Sequence, residues 1–367
     1  MDEEGVSPVI GTILVLAILT IVTSTLLTVI WPQIQDSRDQ GDFQLVTGQM
    51  ARISEDITQM AMGGNVGETR QRTVATSHGQ LGSEPGHLWG LAIAVADENY
   101  SNVQGSGNNV ERGHHQSFRI TDHAGAQGDH FVVEYTNDDG AMNLHCSLYR
   151  LSASSWRDHS PDFSGGCDGS SVGHEDEIEV KLTGDMTLRQ GPWYLEIRDG
   201  DGDLVGQVYV YELNRIQYFI EGALMPRGVY IENGAMFTQT DTSFFATAPG
   251  LYRTAATGGT SGLNMRIADL DDPNMGATSG RAKTSFQLTL KTQDHLAHNL
   301  GAIESRLQVL DGPLTEQWAT HMVGEHFDPA TDHKSVAFTL GTEDPDQISP
   351  FPMSVIHSEI RLRMVAN

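Results

Sequence analysis

Lysine is almost missing from this chain: Lys181, Lys283, Lys291 and Lys334 are the only four in 367 residues. Lysine and arginine together number 22 against 48 aspartates and glutamates, a formal net charge of −26. A surface of that sign repels phosphate backbones, which excludes nucleic acid as a partner class. Salt screens the self-repulsion of so acidic a body, so the excess reads as adaptation to a saline setting and not as a binding site. No basic residue precedes Arg38, so the usual flanking-charge asymmetry that orients a membrane helix is missing. Phosphate-loop, dinucleotide-binding and His-Glu-x-x-His motifs are missing too. Nothing in the chain nominates an enzyme or a cofactor.

Cysteine is also scarce. The only two, Cys146 and Cys167, flank a Ser-, Gly- and Asp-rich stretch, and in an exported chain they suit one disulfide restraining a surface loop. Two cysteines without further spaced ligands make a poor metal site.

What the chain does have is one long apolar run. The 23 residues from Val9 to Trp31 contain no charge, no Asn and no Gln. As a helix they span roughly 35 Å, enough to cross a hydrocarbon core of about 30 Å. The leader ahead of them, Met1-Asp2-Glu3-Glu4-Gly5, is acidic, and the apolar run is too long for a cleaved secretory signal. Ser7 suits the N-cap and Pro8 the first helical position. Pro32 is expected to bend the helix at the membrane surface. Beyond it Phe43, Val46, Met50, Ile53, Ile57 and Met60 recur at spacings of three and four, a helical stripe for packing on the protein's own sheet or on neighbouring subunits. Gly63-Gly64-Asn65 ends it.

The string Gly5-Val6-Ser7-Pro8-Val9-Ile10-Gly11-Thr12, followed at once by the apolar helix, resembles the start of euryarchaeal type IV pilins and related pilin-like proteins. The resemblance covers about the first tenth of the chain. It implies cleavage between Gly5 and Val6 by a prepilin peptidase, residence in membrane lipid before assembly, and packing of the mature helix against other pilin subunits. A weaker resemblance, to the β-domain of larger haloarchaeal pilin-like proteins, rests on Val229-Tyr230-Ile231-Glu232-Asn233-Gly234-Ala235 with Ala248-Pro249 after it.

After residue 63 the period changes to two. Short alternating segments at 72–76, 88–95, 117–120, 131–135, 144–151, 178–182, 193–197, 208–211, 217–220, 228–231, 235–238, 263–267, 285–291, 306–310, 336–340 and 360–365 are separated by Gly, Asp, Asn and Ser turns, the pattern of sandwiches or small barrels. A short helix is expected only at 313–323. The expected fold class is therefore α+β, mostly β: a long N-terminal transmembrane or pilin-like helix followed by antiparallel β-sandwich-type domains. The expected division is a leader at 1–5, a helix at 6–62, a first β region at 63–212 and a second at 213–367. Residues 85–212 form either an inserted β-sandwich or the first of two tandem domains.

Among candidate sites, Asp199, Asp201 and Asp203 alternate as in the first half of a calcium loop. Leu204 stands where that loop needs Gly, and Val210 where it needs Glu, so a hairpin turn is the simpler reading. The acidic runs 175–177, 269–272 and 343–346 are expected to be solvated loops. Asn99 heads the only Asn-x-Ser/Thr sequon, a candidate for surface N-glycosylation. Together these features point to a membrane-anchored filament subunit, of the minor or specialised kind given its size. Its ectodomain lies outside the cell, anchored at the membrane or carried on a filament. The alternative is a permanently anchored extracellular binding or adhesion protein that does not polymerise.

Overall fold

A computed structural model describes residues 8–95, 116–122, 130–137, 142–152, 155–173, 175–183, 186–222, 224–241, 243–248, 252–257, 260–273, 276–310, 318, 328–331, 335–341 and 351–366. The fold is α+β and mostly β, one long N-terminal helix followed by antiparallel sheets. Helix α1 (Pro8–Gly63) spans 56 residues, about 84 Å at the usual rise. It runs on through Pro32, so the proline does not end it. It stops where Gly64 N–H bonds the Met60 carbonyl at 2.9 Å. The Ala61 carbonyl there accepts from Arg266 at 2.7 Å and from Gln293 at 3.0 Å. Carbonyls of the last helical turn lack intrahelical partners, and a cation there also suits the helix dipole.

The strands follow in order. β1 (Thr69–Thr76) and β2 (Gln80–Val95) lead to β3 (Gln116–Asp122), β4 (His130–Asn137), β5 (Met142–Ser152) and β6 (Ser155–His159). Next come β7 (Asp162–Ser164), β8 (Ser170–Val172), β9 (Glu175–Lys181), β10 (Trp193–Asp199) and β11 (Leu204–Ile220). β12 (Arg227–Glu232), β13 (Ala235–Thr240), β14 (Ser243–Ala248), β15 (Tyr252–Thr257) and β16 (Thr260–Asp271) follow. The last are β17 (Ala277–Ser279), β18 (Ala282–Leu310), β19 (Asp328–Thr331), β20 (Ser335–Gly341) and β21 (Phe351–Ala366). A 17-stranded sheet holds all of them except β3, β4, β7 and β9, which form a second, four-stranded sheet. Among the described strands only β16 and β21 pair in parallel.

Three apolar layers stack along the body. Nearest the helix, Val46, Met50, Ile53, Ile57 and Met60 pack on Val74, Tyr218, Val229, Ile231, Leu288 and Ile360. A middle layer gathers Trp89, Tyr209, Tyr211, Phe237, Ile267, Val355 and Trp318. The distal layer lies between the two sheets, where Phe118, Phe131, Val133 and Ile178 meet Leu148, Trp193, Leu195 and Val208. In β2 the alternation of side chains sends Leu88, Ala92 and Ala94 to the distal layer and Trp89, Leu91 and Ile93 to the middle one. Both faces are covered, which is why the segment reads as a continuous apolar run. β3 lies so close over this strand pair that a Cβ on Gly90 would collide with Ile120, and one on Gly206 with Phe118.

Several observed strands are longer than the alternating segments suggest, and two of them each take in two segments. Segments 208–211 and 217–220 belong to one strand, β11, which shifts register between Glu212 and Asn214. Segments 285–291 and 306–310 are the two ends of the 29-residue β18. Strand β11 passes through position 212 without a break, and β18 pairs with both β1 and β2, so the regions 63–212 and 213–367 share one sheet. The acidic runs at 175–177 and 269–271 lie in β9 and β16, not in loops. Of the helix expected at 313–323, only Trp318 is among the described residues, and it is buried.

Candidate functional site

The helix has two halves in different surroundings. From Ile10 to Ile34, fifteen large apolar side chains stand exposed, Ile21 at 65% and Trp31 at 52% among them. The hydroxyls of Thr20, Thr25 and Thr28 donate to the carbonyls of Leu16, Ile21 and Ser24 at 2.8, 2.9 and 2.9 Å. The bare segment thus satisfies these polar groups internally and adds no demand for water from them. It is long and apolar enough to cross a membrane.

From Asp36 onward the helix is fastened to the sheet, and acids do the fastening. Asp36 takes both terminal nitrogens of Arg227, at 2.9 and 3.1 Å, a bidentate pair that fixes orientation as well as distance. One turn on, Asp39 meets His78 Nε2 at 2.9 Å. Asp42 then accepts the backbone N–H groups of Ser77 at 2.8 Å and His78 at 3.2 Å. Burial pushes the Asp42 carboxyl up, but these donors more than reverse it and hold it below 3.8. Further along, Asp56 is gripped by Arg72 at 2.5 and 2.9 Å and by Arg70 at 3.0 Å. Burial again raises that carboxyl and the two guanidiniums outweigh it, so it too titrates below 3.8. Beside the clasp an open cavity of about 810 Å³ lies between the helix and the β1–β2 turn, walled by Gln35, Arg38, His78 and Glu221.

The hairpin between β12 and β13 ties the layers together. Asn233 and Gly234 take φ values of 45° and 73°, the left-handed pair that a tight two-residue turn requires. The Gly234 carbonyl accepts the Ser54 hydroxyl of the helix at 2.8 Å, and Asn233 Oδ1 accepts the Ala268 N–H of β16 at 2.9 Å. The Glu232 carboxylate points into the middle layer, fully buried. There it receives the indole N–H groups of Trp89 at 3.0 Å and Trp318 at 3.1 Å, and meets His87 Nδ1 at 2.8 Å. Burial drives this carboxyl up, and His87, Trp89 and the charge of Arg215 outweigh it, leaving it below 4.5.

The residues singled out in the sequence are scattered. Pro8 is the first described helical residue; Gly5, Val6, Ser7 and Asn99 lie outside the described residues. Cys146 on β5 is bonded to Cys167 with Cα atoms 5.5 Å apart. Asp199, Asp201 and Asp203 form the turn between β10 and β11, where Asp199 Oδ1 accepts the N–H groups of Asp201 at 3.0 Å and Asp203 at 2.8 Å. Its carboxylate is engaged by the turn itself, and no group of three metal-ligating side chains occurs among the described residues. One string, Gly169-Ser170-Ser171-Val172-Gly173, has the Gly-x-Ser-x-Gly pattern. Ser171 sits on the short strand β8 opposite Asn143, not on the strand-to-helix turn that activates such a serine.

The clasp itself is absent from the sequence expectations. Its one signal is that Asp39 and Asp42 continue the three–four spacing of the buried stripe Val46, Met50, Ile53, Ile57 and Met60, where acids demand partners. No family model, no curated protein and no solved structure matches this chain.

Proposed function

We propose that this chain is a pilin or pilin-like subunit, of the minor kind, of an archaeal type IV filament or cell-surface assembly. The observation that carries the reading is the divided helix: one half stands exposed along its described length, and the other is fastened to a large acidic β-body. The Gly5-Val6-Ser7-Pro8-Val9-Ile10-Gly11 string at its start supports the same reading. Before assembly the apolar half rests in membrane lipid, with the β-body outside the cell. A prepilin peptidase then cleaves between Gly5 and Val6. Cleavage discards Asp2, Glu3 and Glu4, whose charges are costly inside a packed helical core. On assembly the apolar half exchanges lipid for like helices at little hydrophobic cost, and the β-body displays adhesive surface. No cofactor, catalytic group or nucleic acid takes part.

The test is the N terminus of the mature protein, by mass spectrometry of membrane and sheared-filament fractions. The expected start is Val6 in both. A start at Met1 or Asp2 overturns the reading in favour of a permanently anchored binding protein. A start beyond Trp31 makes it a secreted protein.

A further inference from the structure

The cavity of about 810 Å³ beside the clasp falls within the size of small-ligand sites, about 300–1,000 Å³. Its polar wall is built by Gln35, Arg38 and Asp39 of the helix, His78 of the β1–β2 turn, Glu221 just after β11 and Ser279 of β17. Asp39 is taken by His78 at 2.9 Å. The Arg38 and Glu221 side chains are exposed, and neither has an ion pair or a hydrogen bond among the described residues. That is notable for an arginine in a chain with 48 acids against 22 bases. The cavity therefore presents one cation and one anion that its own chain leaves unmatched.

Its place along the helix says what can reach it. Trp31 and Ile34, 52% and 42% exposed, are the last large apolar side chains of the bare half. Tryptophan suits the boundary between hydrocarbon and headgroups. With Trp31 at that boundary, Gln35 lies roughly 6 Å and Arg38 roughly 10 Å further along the axis. Each headgroup layer is about 5–8 Å deep. Helical side chains lean toward the N-terminus, so the Arg38 guanidinium is carried back toward the bilayer, as long basic side chains snorkel. The charge of the body selects among headgroups. A net charge of −26 disfavours an anionic one. A zwitterionic one brings a single phosphate and a single ammonium, the complement of Arg38 and Glu221.

We propose that this cavity is a headgroup site for a zwitterionic phospholipid of the phosphoethanolamine type, with the phosphate on Arg38 and the ammonium on Glu221. It rests on the membrane residence of the apolar half in the reading above, and not on polymerisation. A lipid held there pins the junction of helix and β-body at the membrane surface.

The experiment titrates the full-length, detergent-extracted chain with short-chain phosphatidylethanolamine, short-chain phosphatidylglycerol and free phosphoethanolamine, and counts bound ligand by native mass spectrometry. Wild type is compared with Arg38→Gln, Glu221→Gln and the control Arg52→Gln, an exposed helical position outside the cavity. Wild type should bind one phosphatidylethanolamine, more tightly than either other ligand. Arg38→Gln should weaken both lipids about tenfold, the loss of one charge-assisted contact. Glu221→Gln should weaken phosphatidylethanolamine about tenfold and leave phosphatidylglycerol unchanged, so the preference disappears. Arg52→Gln should change neither. The ratio of the two lipids is read within one sample, so it does not depend on how much of a variant folds. A wild type that binds no phosphatidylethanolamine, or a ratio that both cavity variants keep, overturns the headgroup site. Free phosphoethanolamine bound as tightly as the lipid overturns it too, in favour of a soluble ligand. A wild-type chain that stays in solution without detergent or lipid overturns membrane residence, and the headgroup site with it. A mature N terminus at Met1 overturns the filament reading alone.

Discussion

Replacing Glu232 tests whether the buried hairpin carboxylate holds the middle layer together. The wild-type group is fully buried and serves as shared acceptor for Trp89, Trp318 and His87. Removing one partner of a buried charged network costs about 3–5 kcal/mol, so Glu232→Ala should destabilise by about 4 kcal/mol. Glu232→Gln keeps an oxygen for the indoles but loses the charge. Hydrogen bonds to a charged group contribute about 1.5–3 kcal/mol each, so a loss of about 2 kcal/mol is expected. For a body of this size 4 kcal/mol lowers the melting temperature by about 6 °C. The assay is thermal unfolding of the full chain in detergent, followed by tryptophan emission at pH 7 and at pH 3. The folded carboxyl titrates below its ordinary value of 4.5. Its contribution is therefore present above about pH 4.5 and is lost as pH falls through the folded value. The gap between wild type and Glu232→Gln should be full at pH 7 and should shrink at pH 3. A gap unchanged between the two pH values, or a glutamine variant as stable as wild type at pH 7, refutes the reasoning.

Two further outcomes follow from the seating of the helix and from the distal layer. Asp56→Asn should cost about 1–2 kcal/mol, a modest sum because Arg70 and Arg72 are 26% and 45% exposed and solvent screens them. Hydrogen exchange should quicken at the amides of Val46 to Met60 first, and wild type should converge on the variant as pH falls below 3.8, where Asp56 loses its charge. Reducing the Cys146–Cys167 bond opens a loop with a sequence separation of 21, worth about 3 kcal/mol by chain-entropy reasoning. Exchange should then rise in β5 and β9 while the helix keeps its protection; equal loosening of both would show that the layers do not respond separately.

The helix, its end at Gly63-Gly64 and the period-two body are legible in the sequence because each is a local signal. The 3.6-residue period of Val46 to Met60 and the turn chemistry of Asn233-Gly234 depend on residues within a few positions of one another. Strand length is harder to see. β11 and β18 switch which face is covered as they pass from one apolar layer to the next, through register shifts at Glu212/Asn214 and Leu290/Thr292. A bulge interrupts the alternation, and the sequence then looks like two short strands. The acidic runs mislead for a related reason. Asp269 and Asp271 stand on a strand whose intervening residues, Ala268 and Leu270, are buried beneath the helix, so charge density and strand geometry coexist. The clasp and the Glu232 cluster are illegible because their partners lie far away in sequence: Asp36 and Arg227 are 191 positions apart, Glu232 and His87 145. Beyond the spacing that puts Asp39 and Asp42 in line with the buried stripe, little in an acidic chain marks which few of 48 carboxylates meet a cation.

Under the proposed filament reading, the division of the helix also separates the terms that would decide assembly. Each large apolar side chain gains about 1.5–3 kcal/mol on leaving water. Fifteen half-exposed ones between Ile10 and Ile34 therefore sum to the order of 20 kcal/mol, more than enough to keep the subunit out of solution. Lipid supplies that gain as well as a helical bundle does, so it cannot drive the exchange of one for the other. The balance falls to packing and to contacts that lipid cannot make. The clasped half lies beyond the membrane-length run. It is held rigidly to the β-body by Asp36, Asp39, Asp42 and Asp56. A contact made there fixes the attitude of the whole body, because the acids leave the helix no freedom to turn beneath it. In the proposed filament, then, the apolar half sets where the subunit waits, and the clasp that locks the second half to the β-body sets the orientation in which it joins.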